Sequence, residues 1–282
     1  MKKKNVFAML MALVMTMSLV ACGGGEEAEE PAPEKEPEVS APVETPESDS
    51  DLAYIEGKGN MVIGYTVYAP MNYTDDNGEF TGFDTELAIA VCEKLGVEPV
   101  FQEIDWGTKE VELAGKSIDC IWNGMTLDAE REANMNCTQP YVKNAQVVVV
   151  KKGTAYTDTA SLAGMTVVAE IGSAGETQVQ EDAGLQQADY VGKSVQTDCL
   201  MEVKAGTATA AVLDMTLAKA MIGEGTDYAD LEIVDELAVE NYGVAFRKGS
   251  DVRDVVNGIF DELVADGTLG ALADKYSLEL AD

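Results

Sequence analysis

The 282-residue sequence contains no histidine. That absence removes Ser-His-Asp and Cys-His catalysis, histidine-ligated zinc and histidine-based pH switching together. Basic residues are scarce: 19 Lys and Arg stand against 51 Asp and Glu, a formal charge of −32. Phosphate contacts need clustered Lys and Arg, so nucleic acid is not an expected partner. The five cysteines form no CxxC pair, which argues against a zinc ribbon. No nucleophile motif, phosphate loop or metal cluster is visible, and neither cofactor nor metal is expected. What is present, 46% hydrophobic and 25% charged, is the composition of a globular chain. A binding protein or a carboxylate enzyme fits these absences best.

The N-terminus is an address. Lys2, Lys3 and Lys4 precede an apolar run from Val6 to Val20, which is shorter than the ~20 residues of a bilayer span. It ends Leu19-Val20-Ala21-Cys22 and is followed by three glycines. This resembles a bacterial lipoprotein signal, with residues 1–21 removed and the Cys22 thiol acylated; the alternative is an ordinary signal peptide with an incidental cysteine. Several acyl chains on Cys22 would anchor the chain firmly, since one alone is marginal. Residues 22–51 carry eleven acids, one lysine and five of the eight prolines. Such a segment buries no apolar area, and proline with like-charge repulsion keeps it extended, so it reads as an acidic, disordered tether.

From Leu52 the pattern alternates between short apolar strands and amphipathic helices. Strands are expected at Met61–Gly64, Pro99–Ile104, Ile118–Trp122, Gln146–Val150, Met165–Ala169, Ala208–Leu213 and Val244–Phe246. Helices are expected from an Asp84 cap to Leu95, then at Lys109–Ala114, Glu176–Ala183, Asp198–Ala205 and Met215–Met221. The clearest helix follows a Ser250 cap, with Val252, Val255, Val256, Ile259, Phe260, Leu263 and Val264 on one face and Gly267 at its end. This alternation predicts an α/β fold with largely parallel sheets.

Six stretches in order resemble the amino-acid-binding proteins of ABC transporters, the polar-amino-acid family of periplasmic solute-binding proteins. They are Gly64–Met71 with Gly78–Asp84, Ile118–Arg131, Gln139–Tyr141, Ile171–Glu176, Ala210–Asp214, and Tyr242–Ala245 with Asp266–Thr268. Together they span roughly residues 58 to 278, essentially the whole core. The resemblance implies a two-lobed type II periplasmic-binding-protein-like fold: lobe 1 from 52–146 and 242–282, lobe 2 from 147–241. Two hinge-crossing segments near Val142–Lys151 and Val239–Phe246 would join them. A free L-amino acid would be clamped between the lobes and delivered to an ABC permease with its ATPase, the receptor acting as a monomer tethered through Cys22.

The residues that would hold the head group follow from its chemistry. A guanidinium forks onto a carboxylate, and Arg131, one of three arginines, stands at the family's carboxylate-binding position. The alternative is a surface arginine paired with Asp128 and Glu130. Thr126 and the backbone of Gly124 would add contacts to carboxylate and ammonium, with Met125 between them. Ser173 and Ala174 precede a second helix, whose start favours an anion; Ser173 also reads as a plain cap. Asp214 matches the ammonium-binding acid, beyond the carboxyl end of a strand, and also reads as a cap. Tyr68 and Trp106 match the aromatic sandwich around the side chain. Asn123 would add a hydrogen bond, and Trp122 is either part of the site or core.

The specificity clues conflict. Relatives for basic amino acids often place an acid where Tyr65 stands, and its absence argues against a basic ligand. Glu170 replaces a frequent glutamine and would select a positive or hydrogen-bonding side chain. A polar, uncharged amino acid is the expectation. Cys92, Cys120, Cys137 and Cys199 read as buried hydrophobes, with Cys120–Cys137 the nearest pair for a disulfide. Rival readings are an amino-acid-sensing co-receptor, and an enzyme using Asp105, Glu170 or Asp214 as acid or base.

Overall fold

A computed structural model describes residues 50–282. The expected signal peptide, the expected acylation site Cys22 and the expected tether up to residue 49 lie outside the described residues. The first helix, α1 (Asp51–Lys58), starts one residue before the expected core. Ser50 caps it, its Oγ accepting from Ala53 N at 3.0 Å, and Asp51 pairs with Arg247 at 2.9 Å. The last two residues assigned to the tether therefore belong to the folded body, because they complete a cap and a mostly buried ion pair.

Then follow β1 (Asn60–Tyr65), β2 (Tyr73–Thr74), β3 (Phe80–Thr81), α2 (Phe83–Leu95), β4 (Glu98–Glu103), α3 (Lys109–Ala114), β5 (Cys120–Thr126), α4 (Ala129–Asn134), β6 (Asn136–Cys137) and β7 (Val142–Lys151). The second half holds β8 (Thr166–Glu170), α5 (Ala174–Glu181), β9 (Asp189–Lys193), α6 (Gln196–Ala205), β10 (Ala210–Asp214), α7 (Met215–Met221), β11 (Leu231–Phe246), α8 (Val252–Ala265) and α9 (Thr268–Tyr276). Asp84 lies inside the first turn of α2 and does not cap it. Its buried carboxylate accepts from Gly124 N at 2.6 Å and Tyr141 Oη at 3.0 Å.

One sheet runs in the order β4-β1-β5-β11-β7-β10-β8-β9, with β6 also on β11. Each end is parallel: β4 and β5 flank β1, and β9 and β10 flank β8. The centre is antiparallel, so the expectation of largely parallel sheets holds for the two arms only. The reason is connectivity. The strands β7 and β11 pair from Leu231↔Lys151 to Tyr242↔Val142, and β11 runs on to pair with β5 from Tyr242↔Thr126 to Phe246↔Cys120. The result is two α/β lobes joined through this strand pair. The expected short strand at Val244–Phe246 is the end of a 16-residue one. Its earlier part shifts register between Ile233 and Asp235 and between Glu236 and Ala238, which destroys the alternation a strand is recognised by.

In α8, Val252, Val256, Ile259, Phe260 and Leu263 are buried as expected, but Val264 turns out, 57% exposed. Asp251 occupies the cap position without a side-chain bond, and Ser250 Oγ reaches only Val252 N, at 3.4 Å. Trp122 is core: its ring meets Phe260 edge-on at 5.8 Å, and Phe260 meets Tyr141 at 5.9 Å. Cys92, Cys120, Cys137 and Cys199 are free thiols. A Cys120–Cys137 bridge is not formed, because β11 lies between β5 and β6, with Phe246 opposite Cys120 and Ala245 opposite Cys137. Two strand spacings, ~9–10 Å, exceed disulfide reach. Burial pushes the Cys92 thiol up to about 12 and that of Cys137 up to about 11.

Candidate functional site

The carboxyl ends of β5, β8 and β10 carry Thr126, Glu170 and Asp214, and these ends meet at one small cavity of about 10 Å³, room for little more than a single water. It is walled by Trp106, Asn123, Gly124, Thr126, Arg131, Glu170, Ser173, Ala174, Gln196 and Asp214. All but Gln196 are sequence-expected site residues.

The first-lobe wall is built on β5 and its sequel. Asn123 accepts from Thr66 N at 3.1 Å and Thr66 Oγ1 at 2.8 Å, and donates to Thr66 O and Asn72 Oδ1, so it pins the loop after β1. Gly124 holds a left-handed φ of 57°, and a Cβ there would lie 2.7 Å from Tyr68 Cε1. Only glycine fits. Asp128 caps α4, Oδ1 accepting from Arg131 N at 2.8 Å while Oδ2 pairs with the guanidinium. Arg131 thus has the acidic neighbour of the alternative reading, yet it is 7% exposed and faces the cavity. Its other terminal nitrogen donates to Gly172 O in the second lobe at 3.1 Å. Trp106 sits in a turn after β4, buried, with the Lys109 ammonium 4.9 Å from its ring.

The second-lobe wall is acidic. Ser173 does cap α5, accepting from Glu176 N at 3.1 Å, and lines the cavity as well. Asp214 stands before α7 but makes no cap bond. Its carboxylate accepts from Asn144 at 2.6 Å, Gln146 at 2.7 Å, Tyr242 Oη at 2.9 Å and Gln196. The same two amides, from Asn144 and Gln146, donate to Glu240 on β11 at 2.7 and 2.9 Å, and Thr126 Oγ1 donates to it at 2.9 Å. Two carboxyl groups therefore share their donors side by side. Burial and the charge of Asp214 push Glu240 up to about 8, and burial raises Asp214 too. Glu170 is pushed up to about 8 by burial and by Asp214. Its Oε1 is buried with no hydrogen-bond partner among the described residues.

Two expected site residues do not wall the cavity. Met125 is fully buried in a core with Ile104, Leu113, Ile118 and Ile121, opposite its neighbour Thr126 on the cavity side, while the left-handed φ of Gly124 breaks the alternation and lets Asn123 reach the cavity as well. Tyr68 lies behind the wall, its hydroxyl 2.5 Å from Tyr242 Oη, which donates to Asp214. It supports Asp214 from behind instead of stacking in the cavity. Tyr65 also stands apart, packed on Phe80 at 4.8 Å and Phe101 at 6.3 Å. Sequence reasoning missed Gln196, Glu240 and Lys109. Of these, only Glu240 carried a signal, as an acid inside an expected crossing segment.

Comparison with known proteins bears on the family and the fold. Residues 61–279 match the model of the bacterial extracellular solute-binding proteins, family 3. The chain is 26% identical over 280 residues to the arginine-binding extracellular protein ArtP of Bacillus subtilis, covering 97% of this chain and 98% of that one. Among solved structures, a mutant of ArgBP from T. maritima aligns with a TM-score of 0.74 at 30% identity, covering 80% of this chain and 98% of that one. A substrate-binding protein of an ABC uptake transporter from Streptococcus pneumoniae, solved with bound histidine, aligns with a TM-score of 0.73 at 26% identity, covering 81% and 96%. These neighbours are two-lobed amino-acid-binding proteins of the type II periplasmic binding fold. With more than half of its length matched by the family model, the chain belongs to the bacterial extracellular solute-binding proteins, family 3.

Proposed function

We propose that the chain is the extracytoplasmic substrate-binding lipoprotein of an ABC importer, clamping a free polar L-amino acid between its lobes and passing it to a permease. It is a receptor and not an enzyme. Residues 1–21 direct export, acylated Cys22 holds the outer face of the cell membrane, and the acidic segment up to residue 49 spaces the body from the lipid. Lobe 1 comprises residues 50–146 and 242–282, lobe 2 residues 147–241. The carboxylate of the amino acid sits on Arg131, Thr126 and the N–H groups around Ser173 and Ala174. Its ammonium sits on Asp214 and the Gly124 carbonyl, and its side chain runs along Trp106 toward Glu170.

The observation that carries this reading is that Arg131 and Asp214, 7% and 5% exposed, face one enclosed cavity from opposite lobes. A zwitterion answers both charges at once. The partnerless Glu170 Oε1 favours a side chain with an N–H or O–H donor. Relatives named for arginine and histidine take such side chains. Tyr65 stands outside the cavity, so the clue against a basic ligand loses its force.

The test is a thermal-shift panel of the twenty L-amino acids with cystine, ornithine and citrulline. A ligand at a 100-fold excess over its dissociation constant stabilises the fold by about 2.7 kcal/mol. A shift with one or a few polar amino acids is expected. No shift with any would overturn the reading.

A further inference from the structure

Lys109, the first residue of α3, is 5% exposed. Its ammonium donates to two carbonyls: Trp106 O at 3.2 Å in its own lobe, and Gly172 O at 2.8 Å in the other. Gly172 O also takes the Arg131 guanidinium at 3.1 Å, so two cations of the first lobe hold one carbonyl of the second. Glycine on both sides permits the approach. A Cβ on Gly172 would lie 3.2 Å from Gly107 Cα and 3.3 Å from Trp106 O, and one on Gly107 would lie 3.2 Å from Ile171 Cγ2. Gly172 keeps a left-handed φ of 74°, and its N–H is fixed by Glu176 at 2.7 Å. Burial, then the neighbouring Arg131, hold the Lys109 ammonium down at about 8. An amino-acid carboxylate arriving at Arg131 offsets the repulsion between these cations. Lys109 itself is not among the residues that wall the cavity.

We propose that Lys109 is a latch between the lobes, a positioning residue that bonds Gly172 only when the lobes are together and so sets how long an amino acid is held, not which one. This rests on the amino-acid-binding reading above. A bond made only in the closed state weights the equilibrium toward closure and slows release, while encounter with the open state is untouched.

The experiment compares wild type with Lys109→Met and with Gly107→Ala, whose added methyl presses on Ile171 and leaves the lysine in place. Each is titrated with L-arginine, L-histidine, L-glutamine and L-cystine, and rates are followed by stopped flow. Both variants should release every bound amino acid about 10-fold faster, by a common factor, with association rates within about twofold. Their thermal midpoints without amino acid should stay within about 2 °C of wild type, less than a 1 kcal/mol loss would shift them. Release rates within about twofold of wild type would overturn the latch. So would factors that differ more than about threefold between amino acids, which would put Lys109 on the ligand. If wild type binds none of the four and none of the rest of the thermal-shift panel, the amino-acid reading is what fails. The latch is then judged by X-ray scattering: a larger radius of gyration for Lys109→Met than for wild type supports it, and equal radii overturn it.

Discussion

The first-lobe and second-lobe walls of the cavity bury charge of opposite sign, and they treat it differently. On the first wall Arg131 has its counter-ion in Asp128 and a carbonyl in Gly172, so its charge is matched by the protein itself. On the second wall Asp214, with Glu240 beside it and Glu170 near, has amide and hydroxyl donors but no cation among its hydrogen-bond partners, and each acid raises the cost of ionising the next. The first wall carries rigid N–H donors with their charge balanced, whereas the second is short of a cation. An amino acid's ammonium is worth most where like charges are crowded, and its carboxylate is worth most where a rigid donor waits.

The largest effect should come from removing the prepared donor. Arg131→Ala strands the ligand carboxylate in a buried site and should weaken binding by roughly 2–5 kcal/mol, measured by calorimetry. A dissociation constant within about threefold of wild type, less than ~1 kcal/mol, would remove Arg131 from the first wall.

On the second wall the effects on binding and stability should part. Asp214→Asn keeps a polar group for the amides but loses the charge facing the ammonium, so binding should fall about 10- to 100-fold, ~1.4–2.8 kcal/mol. The same change relieves Glu240 and Glu170, so the thermal midpoint without amino acid should hold or rise. A midpoint that falls with the affinity would erase the contrast between the walls.

The crowding has a pH signature. Glu170 and Glu240 are each pushed from an ordinary 4.5 up to about 8, by burial and by Asp214. The fold holds these protons more tightly than the unfolded chain does. Their contribution is therefore full below about pH 4.5 and is lost as pH rises toward 8, at up to ~1.4 kcal/mol per pH unit for each group that titrates. Lys109, lowered to about 8, keeps its cost throughout that window and sheds it only above 8. Midpoints measured from pH 5 to 8 should decline less in Glu240→Gln than in wild type. Equal slopes would mean that the pair does not share its protons as described.

Much of this contrast was legible in the sequence, and the illegible part has a physical pattern. Arg131, Ser173 and Asp214 sit at starts or ends of regular elements, where chain order and a family motif place them, and nine of the eleven expected residues do meet at one cavity. Glu240 was hidden in a strand whose register shifts conceal its period, and Gln196 opens a helix with no side-chain cap to mark it. Lys109 carried no signal beyond opening an expected helix, because the carbonyl its ammonium meets belongs to a loop more than sixty residues away in sequence. Met125 and Tyr68 lie off this cavity for a different reason. Motif position gives the residue's neighbourhood, but the strand's alternation and the turn at Gly124 decide which side chain faces inward.

Tyr65 offers the smallest and sharpest test of that last point. The family resemblance implies a specificity position at Tyr65, one where relatives for basic amino acids often carry an acid. In the fold it ends β1, yet its ring packs against Phe80 and Phe101, outside the residues that wall the cavity. On the proposed reading, selection for a cationic side chain falls to Glu170, whose Oε1 has no hydrogen-bond partner among the described residues. Tyr65→Asp should shift the preference between L-arginine and L-glutamine by less than about threefold, under ~1 kcal/mol. Glu170→Gln should shift it further, against arginine, because a buried carboxylate discriminates by charge and an amide by hydrogen bonding alone. If the aspartate variant gains arginine affinity more than tenfold, ~1.4 kcal/mol, the loop after β1 must bring position 65 into the cavity when an amino acid is held. The second wall would then share its selective task with the first.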